Sequence, residues 1–217
     1  MSQANTLTLS CVHVELHGRT LIGPLDASIE PGECLTLMGP SGCGKSTLLN
    51  FLAGTLDPVF SASGRVAIGL EAVSTLPPER RGFGILFQDD LLFPHLSVGG
   101  NLAFALPASV RPRLERRERI EAALVEAGLA GFAERDPATL SGGQRARVAL
   151  MRTLLAAPRA LLLDEPFNKL DAQLRDDFRD FVFRHARAFG LPTLMVTHDA
   201  ADAHAAGGRI LQLTPSP

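Results

Sequence analysis

Short apolar runs of strand length recur along the chain and predict the strands of a buried sheet. Four of them occupy residues 34–38, 84–87, 160–163 and 193–197. The unbroken apolar character of residues 160–163 suits a parallel strand that is covered on both faces. Residues 6–29 instead show the alternation that is typical of half-buried strands.

Helical patterns fill the intervals between these runs. Residues 46–52 are helix-permissive, an amphipathic stretch at 113–127 is stopped by Gly128, and a further helix is predicted from Gln144 to about Leu155. Strands and helices in this order indicate an α/β fold, and 217 residues suffice for one domain with a sizeable core. A last helix is expected to face the core through apolar positions at helical spacing, namely Leu174, Phe178, Phe181, Val182, His185 and Phe189.

A glycine-rich motif for binding phosphate follows the first apolar run. It fits G-x-x-x-x-G-K-[ST], in which glycines permit a tight turn whose N–H groups converge on phosphate oxygens. Lys45 is expected to reach the β and γ phosphates, Ser46 to bind Mg²⁺, and Thr47 to donate to the α phosphate. The motif reads Gly39-Pro40-Ser41-Gly42-Cys43-Gly44-Lys45-Ser46-Thr47.

Two carboxylates, Asp164 and Glu165, close the apolar run at 160–163. Open α/β sheets bind ligands at the carboxyl ends of their strands, so this pair is placed for chemistry. Asp164 is expected to hold Mg²⁺ through its water shell. Glu165 is expected to orient or deprotonate the water that attacks the γ phosphate.

The pentapeptide Leu140-Ser141-Gly142-Gly143-Gln144 precedes the third helix and presents a second phosphate-binding surface. The order of the phosphate loop, this pentapeptide and the acidic pair closely resembles the ATP-binding subunits of ABC transporters over essentially the whole chain. Residues 87–102 resemble the bacterial importer branch, and residues 86–89 and 136–140 the small YnjD-type subunits. The other motif residues that carry the resemblance are Gln88, Leu170-Asp171 and Val196-Thr197-His198.

The resemblance implies a P-loop NTPase fold of the ABC type. Its RecA-like nucleotide-binding core would comprise residues 1–88 and 157–217, with an N-terminal antiparallel β region, and its helical lobe about 89–156. No regulatory C-terminal domain is expected. ATP and Mg²⁺ are the implied cofactors.

The resemblance also assigns roles to single residues. Gln88 matches the residue that touches Mg²⁺ and senses the membrane partner, and His198 the one that contacts the γ phosphate. Asp171 matches the residue that links two nucleotide sites across a dimer, and Ser141, Gly142, Gly143 and Gln144 match the segment that contacts the nucleotide of the opposite subunit. Asn168 departs from the Ser of many relatives.

One copy of each half-site implies a dimer, either a homodimer or a heterodimer with a second ATPase. The expected partner is an integral membrane permease, and through it a periplasmic or surface solute-binding protein. The expected location is cytoplasmic, on the inner face of the cell membrane. The function implied is ATP hydrolysis that powers solute import through dimer closure; the alternative is a soluble ABC ATPase acting as a clamp in repair or translation.

Two positions leave alternatives open. The chain has no Tyr and no Trp, so His17 is the nearest candidate to stack on adenine, unless it is an exposed loop histidine. Cys43 lies at a helix N-terminus beside Lys45, which favours a thiolate; it is either redox-sensitive or a small loop residue without a special role. The cysteines Cys11, Cys34 and Cys43 form no disulfide or zinc pattern.

Composition and charge argue against several classes of partner and location. A net charge of −2 argues against nucleic-acid binding, and the Arg-rich run at 111–119 is interleaved with Glu, as on a solvated helix face. No apolar run approaches the roughly 18 residues that cross a bilayer, and the start lacks the regions of a secretory signal. A cluster of large apolar side chains is expected either to dock a permease helix or to fill the interface between lobes: Leu91, Leu92, Phe93, Leu96 and Phe104.

Overall fold

A computed structural model describes residues 5–213 of the chain. The sequence start, on which the expected absence of a secretory signal rests, lies largely outside the described residues. The described residues form two sheets and six α-helices. The strands are β1 Leu7–Leu16, β2 Arg19–Ile29, β3 Cys34–Met38, β4 Phe60–Ile68, β5 Glu71–Ala72, β6 Phe83–Leu86, β7 Ala160–Asp164, β8 Thr193–Thr197 and β9 Arg209–Gln212. The helices are α1 Lys45–Ala53, α2 Val98–Ala105, α3 Arg113–Glu126, α4 Gly142–Leu155, α5 Ala172–Ala188 and α6 Ala200–Ala206, with short 3₁₀ helices at Pro78–Arg80 and Pro137–Thr139.

The predicted buried strands form one five-stranded sheet in the order β6-β7-β8-β3-β9. Its pairs β7–β8, β8–β3 and β3–β9 are parallel. The strands predicted at 34–38 and 193–197 are confirmed residue for residue, and every residue of β8 is buried. Continuous apolar sequence therefore marked strands that are covered on both faces.

The alternating N-terminal region forms a second, antiparallel sheet. Its strand order is β2-β1-β4-β5, and β1 pairs with β2 from Leu7 opposite Ile29 to Leu16 opposite Arg19. Buried positions of β1 alternate with exposed or half-exposed ones on either side of a register shift between Leu9 and Val12. The described residues thus have the expected α/β fold with an N-terminal antiparallel β region.

Contacts divide the chain into two compact units. The sheet unit contains the described residues up to Ile85, then Arg159–Glu165, and the residues from Phe183 on. The helical unit contains Leu86–Pro158 and Pro166–Val182. Residues 166–182, which the sequence assigned to the nucleotide-binding core, therefore group with the helical unit.

The core of the sheet unit consists of aliphatic side chains from both sheets and from α1. Leu48 and Leu52 of α1 are fully buried with Leu35 and Leu37 of β3. The helix predicted at 46–52 is confirmed, and its first three residues, Lys45, Ser46 and Thr47, are polar. Packing thereby fixes the direction in which α1 points away from the loop at residues 39–44.

The fifth helix corrects one sequence expectation. Phe178, Phe181, Val182 and His185 are buried as predicted, but Phe189 is 56% exposed. Helix α5 ends at Ala188, so Phe189 lies beyond its last turn and stacks on the ring of His185 instead. Leu174 in the first turn of α5 is also exposed, at 37%.

Candidate nucleotide site

The loop between β3 and α1 wraps around the ammonium group of Lys45. Lys45 Nζ donates to Gly39 O at 2.7 Å and to Pro40 O at 2.9 Å, and the residue is 5% exposed. An ammonium carries three donors, so the two described bonds leave one for an anion. The side chain thus brings a positive charge into the turn that the motif predicted.

Gly44 shows why this turn needs glycine. It is the N-cap of α1 with φ of 90°, in the left-handed region, and an added Cβ would lie 3.1 Å from Leu21 and 3.2 Å from Ile22. Gly44 has no side chain with which to cap the N–H groups of the first turn of α1. These donors and the helix dipole therefore suit an anion at the loop.

Ser46 and Asp164 meet although 118 positions separate them in the chain. Ser46 Oγ donates to Asp164 Oδ1 at 3.0 Å. Burial raises the pKa of the Asp164 carboxyl and the neighbouring Glu165 adds to the rise, whereas the bond from Ser46 and the charge of Lys45 oppose it. A half-buried carboxylate with this environment gains from a nearby cation.

These two oxygens suit Mg²⁺. Magnesium is bound in proteins through one or two oxygen ligands and keeps several waters, so a hydroxyl and one carboxylate are sufficient. Residues 5–213 contain no cluster of three or more His, Cys, Asp or Glu side chains arranged to hold a metal ion. The donor set fits a cation that completes its shell with water and phosphate oxygens.

Glu165 and His198 form the second pair at this edge of the sheet. Glu165 follows β7 in the left-handed region, with φ of 45°, and its N–H donates to Val196 O at 3.0 Å. His198 follows β8, and its Nδ1 lies 3.2 Å from Glu165 Oε1. Strained backbone at a non-glycine residue is typical of functional positions, and here it aims a carboxylate at the imidazole.

The sheet unit therefore brings together five of the predicted residues: Lys45, Ser46, Asp164, Glu165 and His198. They meet because β3, β7 and β8 are parallel, so their carboxyl ends share one edge of the sheet. Thr47 follows in the first turn of α1.

The positions of His17 and Cys43 give less support to the roles predicted for them. His17 lies in the exposed turn between β1 and β2 with φ of 51°, and no described contact joins its ring to the phosphate loop. Cys43 is 6% exposed, and its sulfur lies 2.8 Å from where a Cβ on Gly39 would be. The thiol thus fills space inside the loop.

The helical unit holds the remaining predicted residues. Ser141 is the N-cap of α4, which begins two residues before the predicted start: Ser141 Oγ accepts from Gln144 N at 3.3 Å, and Gln144 Oε1 accepts from Ser141 N at 3.0 Å. This reciprocal capping box fixes the turn that holds Gly142 and Gly143. Asp171 similarly caps α5 by accepting from Leu174 N at 3.0 Å.

Gln88 lies just after β6, and its side chain is exposed. With Asp89, Asp90 and Arg145 it lines a cavity of about 310 Å³ in the helical unit. Arg145 and Asp90 form an ion pair at 2.8 Å that the sequence reasoning missed. The sequence signal that could have drawn attention to Arg145 is its position directly after Gln144.

Arg81 is a second residue that the sequence reasoning missed. It is 8% exposed, and burial lowers the pKa of its guanidinium group. It donates to four main-chain carbonyls, two of which belong to the last turn of α1: Phe51 O at 2.7 Å, Leu52 O at 2.9 Å, Ser74 O at 2.8 Å and Leu76 O at 2.8 Å. A cation at the negative end of the helix dipole holds α1 in place from the end opposite the phosphate loop.

Among the described helices, none is both long and apolar enough for a membrane span, and the longest has 17 residues.

Comparison with known proteins identifies the family. The family model described as ABC transporter matches residues 22–168. The ABC transporter ATP-binding protein YnjD of Escherichia coli (strain K12) is 49% identical over 199 residues, which cover 92% of this chain and 91% of the relative.

Other relatives are longer. The putative 2-aminoethylphosphonate import ATP-binding protein PhnT of Salmonella typhimurium is 44% identical over 91% of this chain and 53% of its own length. The Fe(3+) ions import ATP-binding protein FbpC 1 of Rhizobium meliloti is 45% identical over 88% of this chain and 54% of its own length. The chain therefore spans about half of these two relatives but most of YnjD. It belongs to the ABC transporter family as one of its ATP-binding, ATP-hydrolysing subunits.

Proposed function

We propose that this chain powers the import of a solute through a membrane permease by binding and hydrolysing ATP with Mg²⁺. The observation that carries the proposal is the grouping of Lys45, Ser46, Asp164, Glu165 and His198 at one edge of the parallel sheet. PhnT and FbpC 1 are named as import proteins, which supports the direction of transport.

The phosphate loop and Lys45 bind the β and γ phosphates in this proposal. Ser46 and Asp164 hold Mg²⁺, with Gln88 as a further ligand. When bound, the cation neutralises charge on the phosphate oxygens. The proposed adenine contact of His17 predicts a clear preference for ATP over GTP that His17→Ala weakens, whereas equal hydrolysis of both nucleotides by the wild type would contradict it.

Glu165 is the proposed general base. Its carboxylate accepts a proton from water as the water oxygen bonds to the γ phosphorus and the bond from that phosphorus to the bridging oxygen breaks, which releases ADP and phosphate. His198 holds the carboxylate through the 3.2 Å contact with Oε1 and contacts the γ phosphate. General-base catalysis contributes about 10²–10⁴-fold to a rate, which sets the expected cost of losing the carboxylate.

Two copies of the chain are proposed to close around two nucleotides. Ser141, Gly142, Gly143 and Gln144 of one copy would face the phosphates bound by the other, and Asp171 would link the two sites. A homodimer completes two identical sites by two-fold symmetry. A heterodimer is the competing arrangement, and the mass of the ATP-bound Glu165→Gln protein distinguishes the two.

The permease is proposed to dock on the exposed apolar side chains near Gln88. Leu91 is 54% exposed and Phe104 is 70% exposed, so neither is filling the interior of the helical unit. Through the permease the chain would lie on the inner face of the cell membrane and act with a periplasmic or surface solute-binding protein. YnjD, PhnT and FbpC 1 are named as ATP-binding proteins of transport, which disfavours the alternative of a soluble clamp in repair or translation.

The catalytic assignment is tested with Glu165→Gln. We expect ATP binding to be retained and Mg²⁺-dependent hydrolysis to fall about a hundredfold or more. The measurement is phosphate release at saturating ATP beside equilibrium binding of a fluorescent ATP analogue. Undiminished hydrolysis by Glu165→Gln would remove Glu165 from the mechanism.

The transport assignment is tested by recovering tagged protein from native membranes in mild detergent and identifying what co-purifies. We expect a multi-span membrane protein. Phe104→Ser should reduce this recovery while ATP hydrolysis is retained, and Val125→Ser is the matched control because Val125 is 62% exposed on α3. Recovery of soluble partners alone would favour the clamp.

A further inference from the structure

Helix α4 holds the segment Asp90–Leu91 at two places. Arg145, in its first turn, donates from Nε to Asp90 Oδ2 at 2.8 Å. Arg152, seven residues later, donates to Asp90 O at 3.1 Å and to Leu91 O at 2.8 Å. Seven residues are close to two helical turns, so the two guanidinium groups project from the same face of α4.

The Arg145 contact reaches the phosphate-binding turn directly. The same guanidinium that binds Asp90 donates from Nη1 to Leu140 O at 2.8 Å, and Leu140 is the residue before the N-cap Ser141. Because a guanidinium is planar, it holds the carboxylate and the carbonyl in a fixed relative orientation. One side chain therefore connects Asp90 to the turn at Ser141.

The chain that follows the segment Asp90–Leu91 is held by helix α2. Asn101 is fully buried in α2 and binds both main-chain groups of Phe93: it accepts from Phe93 N at 2.8 Å and donates to Phe93 O at 3.1 Å. The Arg152 guanidinium also lies 5.4 Å from the centre of the Phe93 ring. Between these anchors, Leu91 leaves its side chain exposed.

We propose that Asp90, Arg145 and Arg152 form a rigid link that makes the turn at Ser141 move with the segment at Leu91. Asp90 and Arg145 are positioning residues in this view: they contact no nucleotide but set where Ser141 and Gly142 stand. The inference rests on the proposed function, because the partner that would displace Leu91 is the membrane permease. Because the connection is stiff, a partner that binds at Leu91 favours one position of the turn at Ser141 over others.

The link predicts a specific pattern in a double-mutant cycle on the full chain. Asp90→Ala and Arg145→Ala should each lower the kcat for ATP hydrolysis about tenfold, and the double variant should also be about tenfold slower, because both changes remove the same connection. Affinity for a fluorescent ATP analogue should stay within about twofold in all three, since the phosphate loop belongs to the sheet unit. The control is Arg119→Ala, which breaks an exposed ion pair of 2.7 Å on α3 and should change neither quantity.

Hydrogen exchange of the amides in the first turn of α4 provides a readout that does not depend on hydrolysis. Exchange should rise in both single variants and rise no further in the double variant. Multiplicative losses, about a hundredfold in the double variant, or unchanged exchange in Asp90→Ala would overturn the link. A wild-type protein that hydrolyses no ATP would instead contradict the proposed function, and the exchange data would still decide the link.

Discussion

Replacing Arg81 with Ala is expected to destabilise the sheet unit by about 3 kcal/mol. The Arg81 side chain satisfies four main-chain carbonyls, at Phe51, Leu52, Ser74 and Leu76. Phe51 O keeps the hydrogen bond from Gly54 N at 3.1 Å. If water entering the vacated space rehydrates one of the other three, two remain unsatisfied at about 1.5 kcal/mol each. The cost of burying the guanidinium, seen in its lowered pKa, keeps the net loss below the sum of four charged hydrogen bonds.

Gly54 allows the geometry behind this estimate to be tested separately. It ends α1 with φ of 83°, and an added Cβ would lie 2.7 Å from Arg81 Nε. Gly54→Ala is therefore expected to cost about 1–2 kcal/mol for the left-handed backbone, plus the displacement of Arg81. In the Arg81→Ala background only the backbone cost should remain, so the two substitutions should be less than additive.

The assay is urea unfolding followed by far-ultraviolet circular dichroism, because the chain has no Trp or Tyr to report by fluorescence. Arg80→Ala is the matched control, since Arg80 is the exposed neighbour and should change the free energy of unfolding by less than about 0.5 kcal/mol. Arg81→Lys, which keeps the charge but not the planar fork, should fall between Ala and the wild type. An Arg81→Ala protein as stable as Arg80→Ala would refute the reasoning.

Three further predictions follow from burial. Asp164→Asn should raise the thermal midpoint of the nucleotide-free, Mg²⁺-free protein at neutral pH. Because the pKa of Asp164 is raised in the folded protein, the contribution of this carboxyl to stability is lost as pH rises through that pKa. The advantage of Asn should therefore shrink in acid, and a pH-independent difference in the midpoint would contradict the assignment. Burial raises the pKa of the Cys34 thiol to about 12, so at pH 8 roughly one molecule in ten thousand carries the thiolate. Alkylation followed by mass spectrometry should therefore label the exposed Cys11 far faster than Cys34. Phe178→Ala should cost about 3–5 kcal/mol in urea unfolding, whereas Phe189→Ala, at an exposed ring beyond the helix end, should cost less than about 0.5 kcal/mol; equal costs would restore the core assignment of Phe189.

The strands and helices were accessible from the sequence because their signals are local. Continuous apolar runs located β3, β7 and β8, and Gly128 with φ of 71° ends the amphipathic helix as predicted. Helix ends were less accessible. The exposure of Leu174 and Phe189 depends on what covers each end of α5, and helical spacing carries no information about that.

The chemistry of the candidate site divides in the same way. The sequence by itself determined which residue types are present and that they follow strand ends: a lysine in a glycine-rich turn, an acidic pair, and a histidine after an apolar run. Only the tertiary structure decided that Ser46 reaches Asp164 across 118 positions, that His198 meets Glu165, and that Arg81 and Arg145 bind main-chain carbonyls. The physical reason is that motif spacing is written along the chain, whereas such contacts depend on strand order and on where buried side chains find unsatisfied oxygen atoms.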